Sequence, residues 1–371
     1  MNRGEWGESY TALRLLGDKR LHIADENGNA NPNEWMDVLK IIRRETNDRV
    51  VTYDCVADNV MITININDKP VAQIPSSRFL QIAETLKGDI VNAKGRSFNV
   101  SAEVVNFLGQ AEIHHMKAKS IEKSDIFLDT RDPRSSIIRE NIGFSIKCEF
   151  GENPTLFNTG KASAVVYHIT KNMTSKLMNE INSMVDCKNH VAVADRCVAL
   201  REHGCKLEFI GYEYASRARC YAFEENLDQI NPRLPKVIER ILWNHFMEGD
   251  TDVDISVVTQ RIINENPCGI SRPEDKYPYM MKMFLYSTYC GMTAGTVWNG
   301  KSKVKGGYIT VKESGEIIAN YAVESEAFKN FLYTHCYLDY PSTDQAHGAY
   351  GAVYSEDGEY YFKFNFQVRI R

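Results

Sequence analysis

The sequence predicts an α/β protein: a mixed central sheet flanked by helices, with an additional C-terminal α+β region. Three observations carry this expectation. Runs rich in β-branched residues alternate at residues 50–53, 59–66 and 71–74. Amphipathic stretches at 5–16, 76–86 and 101–108 are interleaved with them. Two further strand-like stretches, 123–129 and 143–147, flank the turn material Arg131-Asp132-Pro133-Arg134-Ser135-Ser136. The chain has 371 residues, enough for one large domain or two to three smaller ones. Residues 1–215 are expected to form a core. Residues 216–371 are expected to form a helical and β-hairpin region packed closely on it, because no disordered linker separates the two.

The elements follow in order. In the first helix Trp6, Tyr10, Leu13 and Leu16 fall at helical spacing, Gly17 supplies a stop, and Glu8 lies near the apolar face. Residues 25–32 read as a polar loop and 35–44 as a short helix with a basic end. The helix at 76–86 is capped by Ser76 or Ser77; that at 101–108 is capped by Ser101, with Glu103 in its first turn. Beyond Lys147, residues 148–154 read as a loop, 173–184 and 190–203 as helices and 206–212 as a strand. Helices are expected at 232–246, 255–263 and 325–333, and a hairpin about Glu313-Ser314-Gly315. A polar loop spans 337–350. A closing hairpin turns at Asp357-Gly358. Its last strand, 360–369, sets Phe362, Phe364, Phe366 and Val368 against Tyr361, Lys363, Asn365, Gln367 and Arg369, so one face packs and the other is polar and basic.

Composition narrows the function classes. Hydrophobic content of 43% and charged content of 25% are those of an ordinary globular protein. No stretch is long and apolar enough to span a membrane, and no apolar run follows Met1-Asn2-Arg3-Gly4-Glu5 to make a secretory signal. The nine scattered cysteines point to a reducing compartment, hence a cytoplasmic protein. A net charge of −5 argues against nucleic-acid binding by bulk charge alone, while leaving a basic cleft open. No Gly-x-Ser-x-Gly elbow and no glycine-rich phosphate loop is present. Cys187, His190, Cys197, His203 and Cys205 crowd together without the paired spacing of a zinc site, so buried thiols are the expected account.

The chemistry concentrates in the hairpin of Asp125 and Lys147. A hairpin centred near Ser136 sets Asp125 opposite Lys147, with Ser145 and Lys147 on one face. Asp129 then lies opposite Gly143, roughly 13 Å from Asp125 at about 3.3 Å per residue. Taken alone, such a pair is more often a surface ion pair. It also suits metal-assisted phosphodiester hydrolysis, in which carboxylate oxygens hold Mg²⁺ and a lysine orients the attacking water. Ser145 stands where a second acid usually sits, so another carboxylate is required. Glu8 is the first choice, Glu149 the second and Glu103 the third.

Asp125, a turn and Ser145-Ile146-Lys147 resemble a variant PD-(D/E)XK nuclease motif, with Ser124 in place of the proline. Further segments resemble the HpaII family of type II restriction endonucleases: Gly4-Glu5-Trp6-Gly7-Glu8-Ser9-Tyr10, Gly143-Phe144-Ser145-Ile146-Lys147, Pro154-Thr155-Leu156-Phe157-Asn158 and Gly307-Tyr308-Ile309. The Pro341-Ser342-Thr343 loop and the closing strand from Tyr360 to Arg369 resemble it too. The resemblance implies a PD-(D/E)XK-like core over residues 1–215, with DNA recognition and dimer contacts in 216–371. It implies a Mg²⁺-dependent endonuclease, acting as a homodimer on double-stranded DNA at a short palindrome beside a cognate DNA methyltransferase; the namesake recognises CCGG. Asp125 would bind metal with Glu8 or Glu149, and Lys147 would position the water. Ser342, Thr343, Gln345, His347, Gln367 and Arg369 are candidates to read bases, and Asn158 and Lys161, near an expected helix start, to hold phosphate. The chain departs from the family after Pro341-Ser342-Thr343. There Asp344-Gln345-Ala346-His347 replaces the arginine that tends to follow, and arginine is the commonest partner of guanine. The rival readings are a DNA-binding protein of the same fold without catalysis, and a nuclease of RNA or modified DNA.

Overall fold

A computed structural model gives the structure of the chain. It describes residues 1–371 except 26, 47–48, 57–59, 96, 114–123, 152, 187, 189, 302–305 and 322–324. Asn59, Lys123 and Cys187, which the sequence reading used, lie outside the described residues.

The elements run α1 (Arg3–Asp18), β1 (Arg20–Ala24), β2 (Ala30–Thr46), β3 (Arg49–Asp54), β4 (Met61–Ile66), β5 (Lys69–Pro75), α2 (Ser76–Asn92) and α3 (Ala102–Gln110). The hairpin strands β6 (Ile126–Arg131) and β7 (Ile138–Cys148) follow, then β8 (Thr155–Phe157), β9 (Val165–Lys171), α4 (Ser175–Asn182), α5 (Val193–Glu202) and β10 (Lys206–Tyr212). Helices α6 (Ala222–Ile230), α7 (Leu234–Phe246), α8 (Ile255–Glu265) and α9 (Pro273–Tyr289) precede β11 (Gly307–Val311), β12 (Ile317–Tyr321) and α10 (Ser325–His335). The chain closes with β13 (Cys336–Asp339), β14 (Tyr354–Glu356), β15 (Glu359–Phe364) and β16 (Gln367–Ile370).

Contacts divide the chain into two compact units: 1–154 with 302–331, and 155–301 with 332–371. The division expected near residue 215 rests on the change in character of the sequence there. The division by contact follows instead from the β11–β12 hairpin, which completes the sheet of the first unit.

That sheet is mixed, with strand order β1-β12-β11-β7-β6-β2-β3-β4-β5. β11 runs parallel to β7 and β12 parallel to β1, while the remaining neighbours are antiparallel. β1 also pairs with β2, so β1, β12, β11, β7, β6 and β2 form a closed circuit of pairings. One face carries Leu128, Phe144, Ile309 and Val311 into a core with Tyr10, Leu13 and Leu16 of α1 and Phe79, Ile82 and Leu86 of α2. α1 starts at a capping box: the Asn2 side chain accepts from the Glu5 amide at 2.9 Å, and the Glu5 carboxylate accepts from the Asn2 amide at 3.0 Å. It ends past the expected Gly17, at Lys19 in the left-handed region (φ 55°).

Residues 35–44 are not a helix; they lie within the long strand β2. The physical reason is a bulge. The β2–β6 register shifts between Val38 and Lys40, leaving Leu39 as the extra residue. Buried positions therefore move from Met36 and Val38 to Ile41. That jump breaks the period of two and imitates helical spacing.

The second unit holds two small sheets, β10-β9-β15-β14 and β13-β16-β8, with helices α4–α9. Three expectations need correction here. The strand expected over 360–369 breaks at Asn365–Phe366 into β15 and β16, which belong to different sheets. The polar loop at 337–350 contains most of β13 and one 3₁₀ turn (Gln345–His347). The helix start expected near Asn158 and Lys161 is a single 3₁₀ turn, Lys161–Ser163, leading into β9. Among the described residues, no helix is long and apolar enough to cross a membrane.

Candidate active site

The hairpin does not pair as its turn centre implied. Ile126 lies across from Phe144 and Phe127, not Asp129, across from Gly143. Continuing that register places Asp125 beside Ser145 rather than Lys147. The turn is centred between Arg134 and Ser135 rather than on Ser136, because Arg131 pairs with Ile138 and Thr130 with Arg139, and an extra β7 residue near Asn141 then shifts the partner of Asp125 from Phe144 to Ser145. Asn141 sits at φ 53°, and its amide donates to Asp129 Oδ1 at 2.7 Å. Asp129 is further engaged by Lys40 Nζ at 3.8 Å and takes no part in the Asp125 cluster.

The corrected register joins Asp125 more tightly to β7 than the expected pairing would. Its Oδ2 accepts from the Ile146 amide at 2.6 Å and from Ser145 Oγ at 3.1 Å. Its own amide donates to the Phe144 carbonyl at 2.8 Å. Among the described residues both side-chain hydrogen bonds fall on Oδ2, which leaves Oδ1 as the oxygen for a further partner. Gly143 makes the approach possible. A Cβ there would lie 2.3 Å from Ser124 Oγ and 3.0 Å from the Phe127 ring. Burial holds the Asp125 carboxyl above the usual carboxylate range, against the Ile146 hydrogen bond, the Lys147 charge and the Ser145 hydrogen bond, which act the other way.

Lys147 follows Ser145 on the same strand face. Desolvation pushes its ammonium below the usual lysine range, opposed by the charges of Asp125 and Glu8. The Glu8 charge on α1 thus acts on Lys147, and close packing of the helix sets it within reach. At Gly7 a Cβ would meet Cys148 Sγ at 2.5 Å, so α1 lies directly on the end of β7.

The other candidate acids are placed differently. Glu149 follows β7, and its Oε1 lies 3.2 Å from Lys312 Nζ. Glu103, on α3, lies 3.5 Å from Arg78.

The remaining candidates belong to the second unit. Asn158 and Lys161 are exposed, on the segment before β9. Ser342, Thr343, Gln345 and His347 form a tied loop. Ser342 Oγ donates to Asp344 Oδ2 at 2.8 Å, and His347 Nδ1 lies 2.6 Å from Asp344 Oδ1. Asn365, which the strand pattern set on an outward polar face, is fully buried between these two segments. Its Nδ2 donates to the carbonyls of Gly160 (3.0 Å) and His347 (2.6 Å), and its Oδ1 accepts from Thr159 (2.8 Å) and Ser163 (2.9 Å). Gln367 Nε2 and Arg369 Nε both donate to Asp339 Oδ2, each at 2.6 Å. Asp339 and Asn365 were missed as organising residues. Asp339 sits in what read as loop, and Asn365 at a strand break that alternation hides.

Comparison with known proteins agrees with the resemblance read from the sequence. The model of the HpaII restriction endonuclease family matches residues 2–370. The type II restriction enzyme HpaII of Haemophilus parainfluenzae is 30% identical over 373 residues, covering 100% of this chain and 98% of that enzyme. No solved structure matches. The chain belongs to the HpaII restriction endonuclease family.

Proposed function

We propose that the chain is a type II restriction endonuclease that hydrolyses phosphodiester bonds of double-stranded DNA with Mg²⁺, at a short, palindromic, CCGG-like site. One observation carries the mechanism: an Asp125 carboxylate clamped by the Ile146 amide and the Ser145 hydroxyl, beside a desolvated Lys147. The donor set fits a hard cation. Mg²⁺ takes one or two carboxylates and fills its remaining positions with water and substrate phosphate, so a cage of three protein acids is not needed. Asp125, through Oδ1, and Glu8 would hold it; Glu149 would first have to leave Lys312. When bound, the ion supplies positive charge against the charge that develops on the phosphoryl oxygens and lowers the pKa of a water.

The protein's own groups do the rest. Lys147 holds the attacking water and, because desolvation weakens its hold on a proton, can exchange one with that water. Ser145 and Ile146 keep the Asp125 carboxylate from rotating away from the reacting phosphate. The loops carrying Asn158, Lys161, Ser342, Thr343, Gln345 and His347, with Gln367 and Arg369, would contact phosphates and read bases. A homodimer fits a palindrome by symmetry, and a cognate methyltransferase would protect host DNA.

The test is digestion of unmodified phage DNA with Mg²⁺. Discrete bands are expected; a smear, or no cutting, refutes restriction. Asp125→Ala and Lys147→Ala are each expected to abolish cutting while binding in Ca²⁺ survives. A variant that cuts at the parental rate removes its residue from the mechanism. Binding without cutting by the parent enzyme would favour the non-catalytic rival.

A further inference from the structure

The sheet register assigns a neighbour to Asp125 on the side away from β7. In the β2–β6 pairing Lys40 lies across from Asp129 and Ile42 across from Phe127, where the pairing ends; the same register continued by two residues sets Arg44 across from Asp125. Continued registers on both sides thus align Ser145, Asp125 and Arg44 in one row at the end of β6. Side-chain contacts place Arg44 on the same face. Its guanidinium lies over the Phe127 ring, 4.3 Å from the centroid, and its Nη2 donates to Asn141 Oδ1 at 2.9 Å. Arg44 is nonetheless exposed.

We propose that Arg44 grips a phosphate oxygen of the DNA strand lying against Asp125, and so is a further substrate-contacting residue of the reaction. The inference rests on the nuclease reading above. Asp125 and Glu8 place negative charge where a phosphodiester must approach, and Lys147 answers it from the β7 side. Arg44 supplies the cation on the β2 side. The planar fork of a guanidinium matches a phosphate in two hydrogen bonds, which an ammonium cannot reproduce. The Phe127 ring and Asn141 already restrict the side chain, so little further freedom is lost on binding.

The test uses a duplex carrying a cut site mapped from the phage digest, with Arg44→Met, Arg44→Lys and, as control, Arg78→Ala on α2. Arg44→Met keeps the stem over Phe127 and loses the charge. It is expected to lower the single-turnover cleavage rate in Mg²⁺ at least about tenfold and to reduce the slope of log affinity against log salt, measured in Ca²⁺, by about 0.9, the share of one phosphate. Arg44→Lys should keep the parental slope and recover part of the rate. Arg78→Ala should match the parent in both. An Arg44→Met enzyme with the parental slope overturns the inference, whether its rate is kept or lost, because a loss without a slope change reports packing on Phe127 alone. A parent that cuts no duplex overturns the nuclease reading and this inference with it.

Discussion

Burial raises the Asp125 carboxyl above the usual range, while two donors and the Lys147 charge favour its ionised form, so desolvation and these partners act on its charge in opposite directions. Asp125→Asn removes the charge and keeps an oxygen for the Ile146 and Ser145 donors. It is expected to abolish cutting while the melting temperature in metal-free buffer at neutral pH stays level or rises. A clear fall on calorimetry would mean that Asp125 holds the fold together. His245 behaves in the opposite sense with pH. Desolvation pushes its pKa down, partly opposed by Asp250, while the ring stacks on Tyr340 at 4.1 Å. The unfolded chain therefore takes up the proton first as pH falls, and stability present above the usual histidine range is lost on acidification. Melting curves at pH 7.5 and 5.5 should show a larger drop for the parent than for His245→Phe; equal drops would assign the acid sensitivity to other groups. At this scale the sequence was most legible. Asp125, Ser145, Lys147 and Glu8 could each be named from motif spacing and chemistry. Arg44 could not, because residues 35–44 read as helix.

Bulges decided what local patterns could not. The extra residue at Leu39 disguised β2 as a helix, and the extra residue near Asn141 moved the partner of Asp125 from Phe144 to Ser145. A bulge changes register by one residue, and one residue exchanges the two faces of a strand, so alternation read from sequence fails beyond it. Close packing of α1 on β7 is a second property of elements. Gly7→Val would drive a side chain into Cys148 Sγ and force α1 outward, an overpacking that costs about 1–3 kcal/mol. Urea titration should show that loss together with loss of cutting, since Glu8 moves with the helix; unchanged stability would mean the helix yields freely. In the second unit, Asn365→Ala removes the donors and acceptor that tie the 158–163 segment to the 342–348 loop. Stranded buried carbonyls and hydroxyls cost about 1–3 kcal/mol. The expected result is lowered urea stability with weakened DNA binding, and intact binding would remove that loop from recognition.

Over the whole chain, the division into two units depends on the return of residues 302–331 to the first, where β11 lies parallel to β7 and β12 parallel to β1. At this scale the proposed activity predicts that chelation by EDTA stops cutting, that Mg²⁺ restores it, and that the complex on cognate duplex sediments with two chains per site. One chain per site would require each protomer to cut a single strand independently. The sequence by itself determined the α/β class, the helix that presents Glu8, the closing Asp357-Gly358 turn, and the residue types gathered at Asp125, Ser145 and Lys147. These rest on periodicity, turn chemistry and motif spacing, all of which act over a few neighbouring residues. The tertiary structure alone decided the register that seats Asp125 on Ser145 and Ile146, the strand identity of 35–44 that sets Arg44 over Phe127, the burial of Asn365, and the place of β11 and β12 in the sheet. Strand pairing joins residues far apart in the chain, and a single inserted residue redirects it, so no local window contains the information.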